Sequence, residues 1–257
     1  RSTLFPYTTL FRSVKLKSIS PLLSCAWNQE MPFKIHTPKA KDVNMPTGCV
    51  ATALSQLMYH NKWPQKRPSE FINSSGTHAQ KSSIYLWNKI KDTSQQMDDA
   101  GKDAVGVLLS DVGKAVNMKY EATGSMSNMQ WALDALRKNF EYSVKHLNKE
   151  YMPKGMFYEL VVNELANGYP VLIGESSHSF LLDGIDKQGY IHVNWGWAGE
   201  NDGWFDLSTL YTPLDDDVFG TDFFALEMEA VLAHPKTGNH PQFKKVRENL
   251  TDRKSVV

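Results

Sequence analysis

Four segments packed into residues 168–210, "GYPVLIGE", "HSFLLDGI", "GYIHVNWGW" and "GWFDLSTL", constrain this chain most. Each is short, apolar or aromatic, and separated from the next by Gly, Asp or Asn. Strands of an antiparallel sheet joined by tight turns have this pattern. Upstream the period changes. Val50, Ala53, Leu54, Leu57 and Met58 recur at helical spacing from Cys49 to about His60, with Pro64 just past the stop. Three further helical patterns cover residues 103–117, 127–140 and about 156–166. Residues 14–47, punctuated by Pro21, Pro32, Pro38 and Pro46, read as extended segments and loop, and the polar residues 62–83 as a surface loop. Helices first and strands second predict an α+β protein with a helical half and a sheet half. The cleft between such halves is the natural place for a site.

Bulk properties mostly exclude. With 28 basic and 28 acidic side chains among 257 residues, the chain gives no electrostatic reason to expect nucleic acid or an anionic membrane as partner. Its apolar runs are shorter than a membrane span. Two cysteines cannot form a disulfide framework, and there is no zinc-finger spacing, P-loop, GxGxxG or HExxH.

The ends read differently from the rest. "TTLFRS" near the N-terminus and "DRKSVV" at the C-terminus correspond to the two strands of a common sequencing adapter translated in open frame. Residues 1–13 and 252–257 are therefore expected to be artefactual and are set aside. The expected domain runs over residues 14–235. Residues 236–251 are expected to be a linker, or the start of a further C-terminal region.

Cys49 stands at the first residue of its predicted helix, after Gly48. A helix N-terminus offers unpaired N–H groups and the positive end of the dipole, which favour the nucleophilic thiolate. Gly48 lets the backbone approach closely. Such a thiol needs a base. His60 shares the helix face but lies roughly 16 Å along the axis. His36 and His78 fall in polar loops, His234 and His240 in a tail, and His146 after a helix end; all five read as surface groups. His178 and His192 remain, both in the sheet half. His178 is flanked by small serines, and Asn194 follows sixteen residues later, consistent with a neighbouring antiparallel strand whose side chain touches it. His192, two residues before Asn194, is the rival base, better read as a half-buried strand histidine bonded to backbone. Asp183 is too far along the same strand from His178 to orient it. The second cysteine, Cys25, reads as a packed small residue. The offsets from Cys49, 129 residues to His178 and 145 to Asn194, match the papain-type order of Cys, His and Asn. For the oxyanion of acyl transfer, the Cys49 N–H and the Gln29 side-chain amide are candidate donors. Trp195 would shield an Asn–His hydrogen bond from water, and Trp197 reads as core.

The blocks "PLLSCAWNQEMPF", "TGCVATALSQLMYHNKWP", "LLSDVGKAVNMKYEATGS", "ALRKNFEY" and "HSFLLDGIDKQGYIHVNWGWAGENDGWFDLSTL" together resemble the streptopain-like cysteine peptidases, a papain-like family of secreted bacterial enzymes. The resemblance spans about residues 21–210. It implies a two-lobed papain-like fold with the cysteine helix in one lobe and the histidine on the sheet lobe. Cys49 would be nucleophile, His178 general base and then acid, and Asn194 the orienter of the imidazole. Trp195 would be its cover, and Gln29 part of the oxyanion hole. Substrates would be proteins or peptides, cleaved through a thioester without metal or cofactor. The resemblance also implies secretion, and a longer precursor with a signal peptide and an N-terminal pro-segment. Two departures stand out: Ser176, Ser177 and Ser179 around the histidine, where the family is Gly- and Ala-rich, and an acidic, aromatic "YTPLDDDVFGTDFF" in place of a Gly-rich loop. The aspartates at 215–217 would either favour basic substrate side chains or form a solvated turn. Two alternatives are an inactive papain-like binding module, which would have lost Cys49, His178 or Asn194, and another thiol acyl-transferase or amidase, in which Asp is usual as third member.

Overall fold

The structure is a computed structural model that describes residues 17–81, 83–153, 155–175, 178–208, 210–212, 222–223 and 228–243. Both adapter-like ends, Ser176, Ser177 and the aspartates at 215–217 lie outside the described residues. In chain order, a small ladder of β1 (Lys39–Ala40) and β2 (Val43–Asn44) leads into helix α1 (Cys49–Asn61). A hairpin of β3 (Glu70–Asn73) and β4 (Gly76–Ala79) follows, then helices α2 (Asp99–Ala115) and α3 (Met129–Lys138). Next come β5 (Tyr142–Asn148), helix α4 (Met156–Ala166), β6 (Val171–Gly174), β7 (Ser179–Ile185), β8 (Ile191–Asn194) and β9 (Gly203–Phe205). A short pair, β10 (Tyr211–Thr212) with β11 (Asp222–Phe223), precedes β12 (Glu229–Pro235).

Strands β5 to β9 and β12 form one antiparallel six-stranded sheet in the order β5-β12-β6-β7-β8-β9. Side chains alternate across it, as the pleat requires. Val144, Leu172, Leu181, Val231 and Ala233 join the core built with α1, α2 and α3. Leu147, Ile173, Phe180, Leu182, Ala230 and Leu232 join a second core with Phe157, Val161 and Leu165 of α4. Every residue of β7 is buried, which explains why its sequence is nearly continuously apolar.

Helix α1 runs through the middle of the first core. Residues 50–59 are all buried, more than one apolar stripe would predict, because the helix is covered on every side. It ends where Lys62 turns into the left-handed region and donates its N–H to the Tyr59 carbonyl. The other helix limits follow side-chain caps. Asp98 accepts from the Gly101 N–H at 2.7 Å and starts α2 four residues before the predicted 103, while Asn128 accepts from the Trp131 N–H at 2.9 Å and starts α3.

Several expectations change here. Residues 62–83 include the β3–β4 hairpin, anchored by buried Phe71, rather than loop alone. His146 lies in β5, exposed and 3.3 Å from Glu229, not after a helix end. His234, expected on the surface of a tail, is buried in β12. Its Nε2 is 2.6 Å from a Glu164 carboxylate oxygen and its Nδ1 is 2.6 Å from the Pro241 carbonyl. Residues 236–243, expected as linker, fold back onto the sheet: the Phe243 N–H donates to the Ser143 hydroxyl at 3.0 Å, and the Phe243 ring stacks on His234 at 4.4 Å.

Candidate active site

Gly48 caps α1 with φ 84° and ψ 144°, a conformation for which a side chain is strained, and no side chain caps the helix. The chain is held there from both sides. Thr47 and Thr52 share a hydrogen bond at 2.9 Å, and the Thr52 hydroxyl donates back to the Gly48 carbonyl at 3.1 Å. Cys49, the first helical residue, is partly exposed, whereas Cys25 is buried, its S–H directed at the Gln56 side-chain oxygen 3.4 Å away.

Across the interface, Ser179 opens β7, on the face that meets α1, directly after His178. Ser179 and the N–H groups of Cys49 and Val50 lie close enough to the Cys49 sulfur to favour its thiolate. Burial outweighs them, and the Cys49 thiol is pushed above its ordinary value. The helix N-terminus thus contributes in the expected direction, and burial opposes it. Cys25, wholly enclosed, is pushed up further.

The β7–β8 register decides what faces His178. Leu181 pairs with Asn194, so continuing the ladder brings Trp197, not Asn194, opposite His178. The Trp197 ring lies 4.9 Å from the imidazole, and the Trp195 ring 6.2 Å. The hydrogen bond of His178 Nε2 runs to the Trp195 backbone carbonyl at 2.9 Å. A carbonyl can only accept, so Nε2 carries the hydrogen and the neutral ring keeps its lone pair on Nδ1.

Asn194 is adjacent, but its side chain is committed elsewhere. Nδ2 donates to the Cys25 carbonyl at 3.0 Å, and Oδ1 accepts from Gln56 Nε2 at 3.0 Å and from the Gly196 N–H at 3.1 Å. The expected Asn194–imidazole contact is thus replaced by a backbone acceptor one residue on. The two tryptophans likewise exchange their expected parts. Trp195, fully buried, packs on Phe180 and Phe205 and donates its indole N–H to the Asn201 carbonyl, while Trp197 is the ring lying nearest the histidine.

The segment that carries Gln29 is tied to both loops of the site through its backbone. The Cys25 carbonyl accepts from Asn194, the Trp27 carbonyl from the Ala198 N–H at 2.9 Å, and the Gln29 carbonyl from the Thr47 N–H at 3.2 Å. Alternate residues of one segment, Cys25, Trp27 and Gln29, thus tie the histidine's loop to the cysteine's loop. His192 is not part of this cluster. Its Nδ1 lies 2.6 Å from Asp183, a side-chain partner rather than the expected backbone, and Asp183 also accepts the Leu23 N–H at 2.9 Å. Asp183 sits at a register shift in β7, a bulge that aims its buried carboxylate at the N-terminal segment. Both ring nitrogens of His60 lie 3.1 Å from carbonyl oxygens, of Leu22 and Gly168. Gln56 was not singled out in the sequence; a glutamine seven residues after the cysteine, on the same helix face, was the available signal. Among the described residues no cluster of His, Cys, Asp or Glu is arranged to hold a metal ion, and no helix is long and apolar enough to cross a membrane.

The arrangement is a thiol at a helix start, an imidazole in a defined tautomer on the facing sheet, and an N-terminal segment lacing the two together. Comparison with known proteins agrees. Residues 27–205 match the model of the Peptidase C10 family. The thiol protease/hemagglutinin PrtT of Porphyromonas gingivalis is 32% identical over 216 residues, 75% of this chain and 25% of that protein. Streptopain of Streptococcus pyogenes is 29% identical over 237 residues, 81% of this chain and 60% of that protein. The chain thus spans a quarter of the one relative and three fifths of the other. Among solved structures, the active wild-type interpain A cysteine protease of Prevotella intermedia superposes with a TM-score of 0.71 at 26% identity, covering 90% of this chain and 98% of that one. A fragment of prointerpain A from the same organism gives 0.70 at 27% identity, covering 83% and 71%. The expected α+β, papain-like architecture is the one found, and the chain belongs to the peptidase C10 family, whose matched relatives are thiol proteases.

Proposed function

We propose that this chain is a cysteine endopeptidase that hydrolyses protein or peptide bonds through a thioester. The observation that carries the reading is the His178 Nε2–H bonded to the Trp195 carbonyl, on the residue directly before Ser179, which lies beside the Cys49 sulfur. In the mechanism, His178 Nδ1 removes the Cys49 proton as the sulfur attacks the scissile carbonyl carbon. The oxyanion takes the Cys49 N–H and the Gln29 amide as donors. The imidazolium returns the proton to the leaving amine. His178 then activates water to hydrolyse the thioester, restoring the thiol. Burial raises the Cys49 thiol, so the imidazole serves attack as well as departure. The acceptor that orients His178 is the Trp195 carbonyl. Trp197 covers the ring, and Asn194 works on the turn around Trp195.

The peptidase unit extends from about residue 14 through residue 243, since residues 236–243 pack on its sheet. It is the cleft-bearing part of a secreted precursor with an N-terminal pro-segment, a reading supported by the family resemblance and by the prointerpain A relative. The test is casein hydrolysis under reducing conditions with and without an epoxide thiol inhibitor, beside Cys49→Ala. Inhibitor-sensitive cleavage absent from Cys49→Ala is expected. A folded protein with neither cleavage nor labelling of Cys49 by the inhibitor would overturn the reading in favour of a binding module.

A further inference from the structure

Helix α1 carries a polar stripe, Cys49, Thr52, Gln56 and His60, on the face turned to the sheet half. Gln56 is fully buried, so its amide must find partners. It has two: the Cys25 S–H to its oxygen at 3.4 Å, and Asn194 Oδ1, to which it donates at 3.0 Å. Asn194 Oδ1 also accepts the Gly196 N–H at 3.1 Å. That N–H and the Trp195 carbonyl belong to one peptide unit, and the carbonyl is the acceptor of His178 Nε2 at 2.9 Å. One rigid plane is therefore held at its N–H edge by Asn194 and bonded at its C=O edge to the imidazole. Asn194 is fixed in turn by Gln56, two turns along the helix that begins with Cys49.

We propose that Gln56 is a positioning residue for the reaction: through the Asn194 side chain and the Trp195–Gly196 peptide, it holds the His178 imidazole in register with the sulfur of its own helix. Nothing in this chain of bonds touches substrate. It sets the relative placement of two reacting groups carried on opposite halves of the molecule, where an error of about 1 Å costs on the order of 10²-fold in rate. The inference rests on the peptidase reading.

The test uses the full chain with Gln56→Met, which keeps length and volume but neither hydrogen bond, and Gln56→Glu, which keeps the acceptor and sets a carboxylate against Asn194 Oδ1. Three readouts separate positioning from mere packing: kcat against KM on a fluorogenic peptide, the pH profile of Cys49 alkylation by iodoacetamide followed site by site in a mass spectrometer, and the melting temperature. Both variants are expected to lose roughly 10²-fold in kcat with KM nearly unchanged. Alkylation of Cys49 near neutral pH is expected to fall as the imidazole loses its placement. A Gln56→Met/Asn194→Leu double variant is expected to be no worse than Asn194→Leu alone, since both act on one plane. If Gln56→Met does not fold, the volume-conserving Gln56→Glu decides. Wild-type kcat and a wild-type alkylation profile in a folded variant, whatever its melting temperature, would overturn the proposal, as would losses that multiply in the double variant. A wild-type chain with no Cys49-dependent cleavage would overturn the peptidase reading and this proposal with it, whereas failure of the Gln56 variants alone leaves that reading standing.

Discussion

Replacing Gly48 by alanine tests how tightly the start of the nucleophile helix is held. At φ 84° and ψ 144°, the backbone lies where L side chains are strained, at a cost of about 1–3 kcal/mol. A Cβ added there would also meet the Met118 sulfur at 2.6 Å and the Ser125 carbonyl oxygen at 2.8 Å. The methionine can swing aside, but the carbonyl cannot. Its residue is tied to the Pro46 carbonyl through the Ser125 hydroxyl at 2.6 Å, and its neighbour Met126 exchanges two backbone bonds with Lys119. Overpacking of this kind adds about 1–3 kcal/mol, for a total of about 2–6 kcal/mol. With a urea m-value of about 3 kcal/mol per molar, the midpoint should fall by roughly 0.7–2 M, read by tryptophan fluorescence. Gly76→Ala separates the two contributions: φ is 121° there, but a Cβ would meet nothing within 4 Å, so strain acts alone and the loss should be smaller. A Gly48→Ala midpoint within roughly 0.3 M of the wild type would refute the reasoning, because the 125 loop would then be yielding freely.

Arg67 grips buried Asp111 with two hydrogen bonds, at 2.6 and 2.8 Å, and Tyr85 adds a third at 3.1 Å. Arg67→Met strands that carboxylate and should cost about 3–5 kcal/mol in denaturant unfolding, while Arg67→Lys should recover only part. Trp195→Ala removes a fully buried ring and should cost about 3–5 kcal/mol, whereas Trp197→Ala should leave the unfolding midpoint closer to the wild type and act chiefly on kcat; equal effects on stability would contradict the assignment of core and cover. In His178→Ala, Cys49 loses its base and keeps a thiol raised by burial. Its alkylation rate should climb with pH with a midpoint above that of a free cysteine, and a midpoint below about 8 would show that the helix N-terminus outweighs burial after all.

How far the sequence reaches can be judged from particular residues. Helix α1 was legible from five apolar positions and a following proline, and the four turn-separated segments were legible as strands because Gly and Asp bound each of them. The histidine and cysteine stand where that reading put them, on facing halves. Strands β5 and β12 were missed. β5 mixes Lys145 and His146 into its exposed positions, and β12 ends on Pro235 and runs into a tail rich in polar residues. Only pairing with each other, across 80 residues of chain, makes them strands, and no local pattern carries that. Asn194 shows a different limit. Its distance along the chain from His178 was right for a neighbouring strand, but register decides contact residue by residue, and a shift of three places put Trp197 there instead. Gln56 was hidden because it is a polar residue in an apolar run whose partner Asn194 lies far away in sequence, whereas Asp183 was weighed only against His178 and its actual partner is His192, nine residues on.

The position of β12 governs the order in which the molecule can be finished. This strand is the last to be made of the six, and it belongs between β5 and β6, pairing along its full length with the former and over three residues with the latter. Until residues 229–235 have left the ribosome, β5 and β6 each present an open edge where a neighbouring chain could add. Helix α1 with its cysteine is by then long complete, while the strand that positions the histidine has a sheet with a gap two strands away. Emergence of the last strand closes that gap, so a nascent or C-terminally cut chain holds its nucleophile before it holds a settled acid–base partner.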